Sequence, residues 1–211
     1  MTSAATERAA LCDLFDDVGP DAPTLCTGWT TRDLAAHLVV RERRPDGAIG
    51  ILVKPFAAHG EKVRLGEAAK PWADLVEAVR TGPPIWSPTR IGAVDRAANT
   101  VEFFVHHEDV RRAQPGWEAR PLDEELAGDL AGAIGRMARA LARRSPVGLT
   151  LVATGSPGGP IVARRGEPMV TVSGPIGELT LLAYGRGDHA RVDFDGLPEA
   201  VAALQSASLG L

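Results

Sequence analysis

The sequence predicts an α+β protein, with a helical part over about residues 1–145 and a small α+β part over about 146–211. Three observations predict it. Apolar residues recur at steps of three and four as far as Arg144. Breaker-rich stretches (GPDAP, TGPP, QPGWEARP) cut that pattern into separate helices. Beyond Pro146 the period changes to alternation, as at Val170 and Val172.

The elements follow in order. Residues 3–17 form a first helix, with Ala9, Leu11, Leu14 and Phe15 on its apolar side. Thr30 is a good N-cap for the second, and Asp33, three residues on, faces the free N–H groups of its first turn. That helix runs to about Arg44, where Pro45 stops it. Leu34, His37, Leu38 and Arg41 share one of its faces. PDGAIGILVKPFAAHG reads either as a short helix or as a loop over an active site, with His59 exposed. Residues 61–81, carrying Trp72, Leu75, Val76 and Val79, predict another helix ended by TGPP, and Ile85 and Trp86 lead onward. After the central helix, residues 122–144 form a long amphipathic one with Leu126, Leu130, Ile134, Met137 and Leu141 in phase. GLTLVATG, PIVARRG, MVTVSGP and VDFDG read as strands, ELTLLAY as a buried helix, and PEAVAALQSA as a closing helix with Pro198 near its first turn. GSPGG at 155–159 precedes no helix and no Lys-Ser/Thr pair, so it is a hairpin loop and not a phosphate cradle.

The central helix, Asp95 to Ala113, is anomalous. At roughly 100° per residue, Val94, Ala98, Val101 and Val105 lie on one flank and Phe103 and Val110 on the other. Between the flanks stand Asp95, Asn99, Glu102, His106 and Asp109. Charged groups on a buried face must be paired, hydrogen-bonded or metal-bound. Glu102 and His106 are one turn apart and can reach one point, either as a hydrogen-bonded pair or as metal ligands. His107 points away and reads as a surface or rim histidine.

Composition removes several function classes. The chain has 211 residues, 45% hydrophobic and 24% charged, in the ordinary range for a globular protein. A net charge of −4 gives no electrostatic reason to expect nucleic acid or an anionic membrane. No apolar run approaches the roughly 20 residues of a membrane span. Neither does a signal-peptide pattern open the chain, so a cytoplasmic protein, monomer or homodimer, is expected. Cys12 and Cys26, the only cysteines, are expected to stay reduced, the first in the core and the second in a loop before Trp29.

Antiparallel packing in a helical bundle can bring His37 to Glu102 and His106. Alone, His37 also reads as a satisfied core histidine. Together, three ligands of imidazole and carboxylate type leave a fourth position open, the pattern of metal sites that do chemistry. Such a set suits Zn²⁺, and also Fe²⁺, Ni²⁺ or Mn²⁺.

Trp29, Thr30, Asp33, Leu34 and His37, in the pattern W-T-x-x-D-L-x-x-H, stand with Glu102 and His106 in E-x-x-x-H, followed by Asp109. This combination resembles the N-terminal domain of mycothiol-dependent maleylpyruvate isomerases, within the DinB-like superfamily of metal-binding four-helix bundles. RERRPD and NTVEFFVHHEDVRRA point to an actinobacterial metal-binding subfamily of unassigned reaction. The resemblance covers most of residues 1–145. The C-terminal part, with VSGPIGELTLLAYGR, is similar to the small sterol-carrier-like α+β domain that follows in these proteins.

The resemblance implies a divalent metal, most often zinc, on His37, Glu102 and His106. It also implies a low-molecular-weight thiol, mycothiol in actinobacteria, as cosubstrate. The expected activity is a transfer or isomerisation in which the thiol gives up its proton at the cation and attacks a small electrophile. No maleylpyruvate-specific pattern accompanies it. Arg41, one turn after His37, is expected either to take part in catalysis by anchoring a carboxylate of thiol or substrate, or to pair with Asp33, Asp95 or Asp109. Asn99 and Asp109 either orient the ligands or are polar positions on the helix surface. A non-catalytic metal- and small-ligand-binding protein is the alternative.

Overall fold

The computed structural model describes residues 2–84, 92–155, 159–207 and 209–210; the side chains of 51–52 and 92–98 also lie outside the description. Ile85 and Trp86, the side chains of Val94, Asp95 and Ala98, and most of the 155–159 loop therefore fall outside it. The chain forms two compact units, Met1–Glu118 and Ala119–Leu211.

The first unit is helical. It contains α1 (Ser3–Val18), α2 (Thr31–Arg43), α3 (Pro45–Leu52), a 3₁₀ turn at Lys54–Phe56, α4 (Ala57–Ala68), α5 (Trp72–Arg80) and α6 (Gly92–Arg111). α1 packs on α5 and α6, while α2 packs on α3, α4 and α5. Their shared core is Leu11, Phe15, Leu34, Leu38, Leu75, Val76, Val79, Phe103 and Val110, with Cys12 among them. Burial pushes the Cys12 thiol up to about 12, against the pull of Arg80 and Arg8, so it stays an inert thiol.

Two features of this unit differ from the sequence expectation. Residues 61–81 are not one helix: α4 ends at Ala68, and Pro71 opens α5 as its N-cap. Proline lacks the N–H that a continuous helix would use and disfavours helical geometry in the residue before it. Further on, Pro45 does stop α2, but as N1 of α3 it also starts the next helix. α3 and α4 then meet backbone to backbone. A Cβ on Gly50 would stand 2.8 Å from the Gly60 Cα, and one on Gly60 3.0 Å from the Gly50 Cα.

The second unit contains α7 (Glu124–Leu141), β1 (Gly148–Ala153), β2 (Ile161–Arg164), β3 (Met169–Gly174), α8 (Ile176–Ala183), β4 (Asp193–Asp195) and α9 (Pro198–Gln205). Its sheet has the order β2-β1-β3-β4; β1 runs parallel to β3, and both outer pairs are antiparallel. Leu149 and Leu151 of β1 and Val170 and Val172 of β3 alternate inward, and α8 is buried along its whole length. The expected α+β class is therefore observed. The compact units divide between residues 118 and 119 instead of at 145, because α7 packs against α8 and β2. Among the described residues, no helix is long and apolar enough to cross a membrane.

Candidate metal centre

α2 is set in phase at its start. The Thr30 N–H donates to Asp33 Oδ2 at 3.1 Å, closing a capping box. The other carboxylate oxygen of Asp33 accepts from Arg64 of α4 at 2.6 Å. Burial works against the Asp33 charge, but these bonds to Arg64 and Thr30 hold its carboxyl below the usual range. With Leu34 and Leu38 fully buried, His37 lies at the edge of the core and faces α6. The Trp29 ring lies 5.3 Å from the His37 ring, and Arg64 covers Trp29 at 5.0 Å.

On α6, Phe103, Phe104 and Val110 are buried, which turns Glu102 and His106 toward α2. His37 Nε2 lies 3.4 Å from Glu102 Oε1, and His106 Nε2 lies 3.3 Å from the same oxygen. The two imidazole rings are 5.4 Å apart, close to edge-on. One donor atom from each of the three residues falls within 4.8 Å of the others. The structure thus brings together all three residues that the sequence nominates as ligands.

The cluster has two readings, a hydrogen-bonded trio and a set of metal ligands, and its distances can be set beside each. Charge-assisted N–H···O⁻ bonds run at about 2.7–2.9 Å. Two ligands on one tetrahedral zinc, each about 2.0–2.1 Å from it, stand roughly 3.3–3.4 Å apart. Both imidazole–carboxylate separations, 3.4 and 3.3 Å, are long for charge-assisted hydrogen bonds and equal to the second figure, and both contacts still act as hydrogen bonds in the cation-free chain. The other face of His106 behaves differently: its Nδ1 lies 2.9 Å from Asp109 Oδ2, a shorter hydrogen bond to a fully buried carboxylate. That bond leaves Nε2 as the nitrogen turned to the cluster.

The electrostatics are uneven across the cluster. Burial pushes the His37 pKa down, only partly offset by its bond to Glu102. Burial also opposes charge on His106, but bonds to Asp109, Cys26 and Glu102 raise it well above the ordinary value. Glu102 is held well below the carboxylate range: burial is outweighed by its bonds to His106 and His37 and by the His106 and Arg41 charges. Without a cation, the proton sits on His106 and the anion on Glu102, with His37 neutral between its neighbours.

Of the three carboxylates considered for Arg41, the Asp95 side chain lies outside the described residues, and the contacts described for Arg41 are to other groups. Its guanidinium donates to Asn99 Oδ1 at 2.5 Å and lies 3.3 Å from Glu102 Oε1. It therefore meets Glu102 at the same oxygen that the two imidazoles approach, with Asn99 as its other partner. Two further expectations change. His107 is not on the surface; it is buried, with Nδ1 3.0 Å from Glu7 Oε2 of α1. Glu108, not singled out in the sequence, is fully buried and accepts from Arg111 and Arg112. His59 is exposed as expected, 3.8 Å from Asp46.

Cys26, which the sequence places in a loop before Trp29 with a reactive role open to it, lies beside this cluster, a proximity the sequence did not foretell. Its Sγ lies 3.2 Å from Asp109 Oδ2, and Cys26, His106 and Asp109 form a second convergent trio. The position of Cys26 just ahead of the Trp29 motif was its only signal.

The sequence matches no family model and no curated protein. In structure, the chain is similar to the crystal structure of the mycothiol-dependent maleylpyruvate isomerase. The TM-score is 0.61 at 15% identity, over 92% of this chain and 90% of that one. A histidine-to-alanine variant of that enzyme gives a TM-score of 0.60, also at 15% identity and over the same shares. The resemblance read from the His37 and Glu102–His106 motifs thus holds at the level of architecture, and the chain has the fold of the mycothiol-dependent maleylpyruvate isomerase.

Proposed function

We propose that this chain is a divalent-metal-dependent enzyme, with zinc the first candidate, that uses a low-molecular-weight thiol such as mycothiol on a small electrophile in a transfer or isomerisation. The observation that carries the reading is the pair of 3.3 and 3.4 Å separations from two imidazole nitrogens to one carboxylate oxygen. The shared fold with a mycothiol-dependent enzyme supports the thiol. His37, Glu102 and His106 would hold the cation. Bound there with an open position, a divalent cation lowers the proton affinity of a thiol and so makes it nucleophilic at neutral pH.

The chain's own residues do the rest. Asp109 holds the His106 Nδ1–H and so aims Nε2 at the cluster, the nitrogen that gives up its proton when a cation binds. Arg41, held by Asn99, lies against the Glu102 oxygen that faces the imidazoles and helps fix its position. The Arg41 side chain is 20% exposed, and that edge would meet a carboxylate of thiol or substrate. Trp29, pressed against His37, limits how the imidazole can swing. The non-catalytic alternative, with an apolar ligand in the second unit, gains nothing from the cavity walled by Leu141, Leu149, Leu151 and Leu182. Its volume is about 10 Å³, about one water-sized probe.

The test is direct. Purified chain is analysed for bound metal, then titrated with mycothiol in a thermal-shift assay before and after chelation, and assayed for conjugation to a fluorescent electrophile. Metal-dependent thiol binding is expected. Unchanged metal content in the double variant His37→Ala with Glu102→Ala sinks the site, and thiol binding indifferent to chelator sinks the mechanism. Arg41→Ala is expected to keep the metal and weaken the mycothiol response.

A further inference from the structure

Cys26 has a geometry that the proposed chemistry does not use. Its loop is fastened to α6 by backbone and side chain together. The Leu25 N–H donates to the Asp109 carbonyl at 3.0 Å. Thr24 Oγ1 accepts from the Cys26 N–H at 3.2 Å and donates to the Trp29 carbonyl at 2.9 Å. Held this way, Cys26 Sγ reaches Asp109 Oδ2 at 3.2 Å. The same oxygen lies 2.9 Å from His106 Nδ1.

A carboxylate only accepts, so both neighbours are donors. Asp109 is fully buried, and its Oδ2 accepts from the imidazole and from the thiol. Loss of the thiol removes one of the donors that fix this oxygen and loosens the carboxylate's orientation. The imidazole that Asp109 steers is itself a nominated ligand. Sγ approaches on the Nδ1 side of His106, whereas the nitrogen turned toward Glu102 is Nε2.

We propose that Cys26 is a positioning residue of the metal centre: its thiol donates to Asp109 Oδ2 and fixes the carboxylate that orients His106. The inference rests on the metal reading above. It assigns Cys26 no bond to the cation and no covalent step.

The test uses the full chain with Zn²⁺ or Co²⁺ alone. Zinc affinity is measured by competition with a chromophoric chelator, and the visible ligand-field bands of the Co²⁺ form are recorded. Cys26→Ala is expected to weaken zinc by about 3–10-fold, less than the 10–100-fold typical of losing the group that bonds a ligand directly. It is also expected to shift the cobalt bands, and Cys26→Ser, which keeps a donor, is expected to restore both toward wild type. Should the alanine variant fail to fold, Cys26→Val refills the volume without a donor and takes its place. An affinity and a cobalt spectrum unchanged by loss of the donor overturn the proposal. So does a sulfur-to-cobalt charge-transfer band in the wild type that vanishes in the variant, since Cys26 would then be a ligand. Wild-type protein that binds no metal overturns the metal reading and this inference together; wild-type binding with an indifferent Cys26 overturns only the latter.

Discussion

Glu102→Gln offers the sharpest test of the cluster. Glutamine keeps the shape of the side chain and removes the charge that two imidazoles and Arg41 surround. In wild type, free metal at 100 times its Kd should stabilise the chain by about 2.7 kcal/mol. At roughly 2–4 °C per kcal/mol for a chain of this size, that is a rise in Tm of about 5–11 °C. Losing a partner of a ligand already costs about 10–100-fold in affinity, so losing the anionic ligand is expected to cost at least about 100-fold. The same metal concentration then sits near the variant's Kd, where stabilisation falls to about 0.4 kcal/mol, a shift of only about 1–2 °C. The assay is differential scanning fluorimetry of chelator-treated protein with and without added zinc. Each variant is compared with its own metal-free form, which removes the cost of the substitution to the apo fold. A Glu102→Gln variant that keeps the full metal-induced shift refutes the argument, because the carboxylate oxygen common to both imidazoles would then have no part in binding.

Other expectations follow from the same contacts. His106 is raised well above 6.5 when metal-free. It therefore stabilises the apo chain fully below pH 6.5, and that contribution is lost as pH rises through its raised value. Metal needs the same nitrogen unprotonated, so the zinc-induced rise in Tm should widen with pH across that window; a gap that narrows contradicts the assignment. Asp109→Asn should weaken zinc about 10–100-fold while leaving the metal-free far-ultraviolet circular dichroism spectrum unchanged; chelator competition reads it. Elsewhere in the first unit, Arg8 of α1 is gripped by Glu42 of α2 at 2.5 and 2.6 Å, donates to the Val79 carbonyl, and lies over the Phe103 ring. Glu42→Ala strands that buried guanidinium and should cost about 3–5 kcal/mol, seen as a large drop in Tm with the metal stoichiometry of the folded fraction retained.

What could be read from the sequence was local. The Thr30–Asp33 capping box lies within one turn, and the one-turn step from Glu102 to His106 follows from helix geometry, so both stood in the sequence in plain form. His37 needed only the further idea that two helices face one another. The partners that were missed are remote in sequence. Glu7 stands 100 residues from His107, and Cys26 83 from Asp109, and nothing in either neighbourhood marks the other. The long apolar stripe of α7 announced a buried face but not the surface that buries it, and it packs on α8 and β2. Amphipathic period reports the existence of an interface and is silent about its owner.

The contact between Gly50 and Gly60 has a reach beyond its own helices. Arg64 rides on α4 one turn past Gly60, and from there it both clamps Asp33 and covers Trp29, which leans on His37. A single methyl group at either glycine would push α4 outward and drag that chain of supports with it. Sequence drift at two small residues that touch no ligand is thus constrained by the imidazole they indirectly keep in place. Their conservation in descendants of this chain would record the demands of that imidazole as much as those of helix packing.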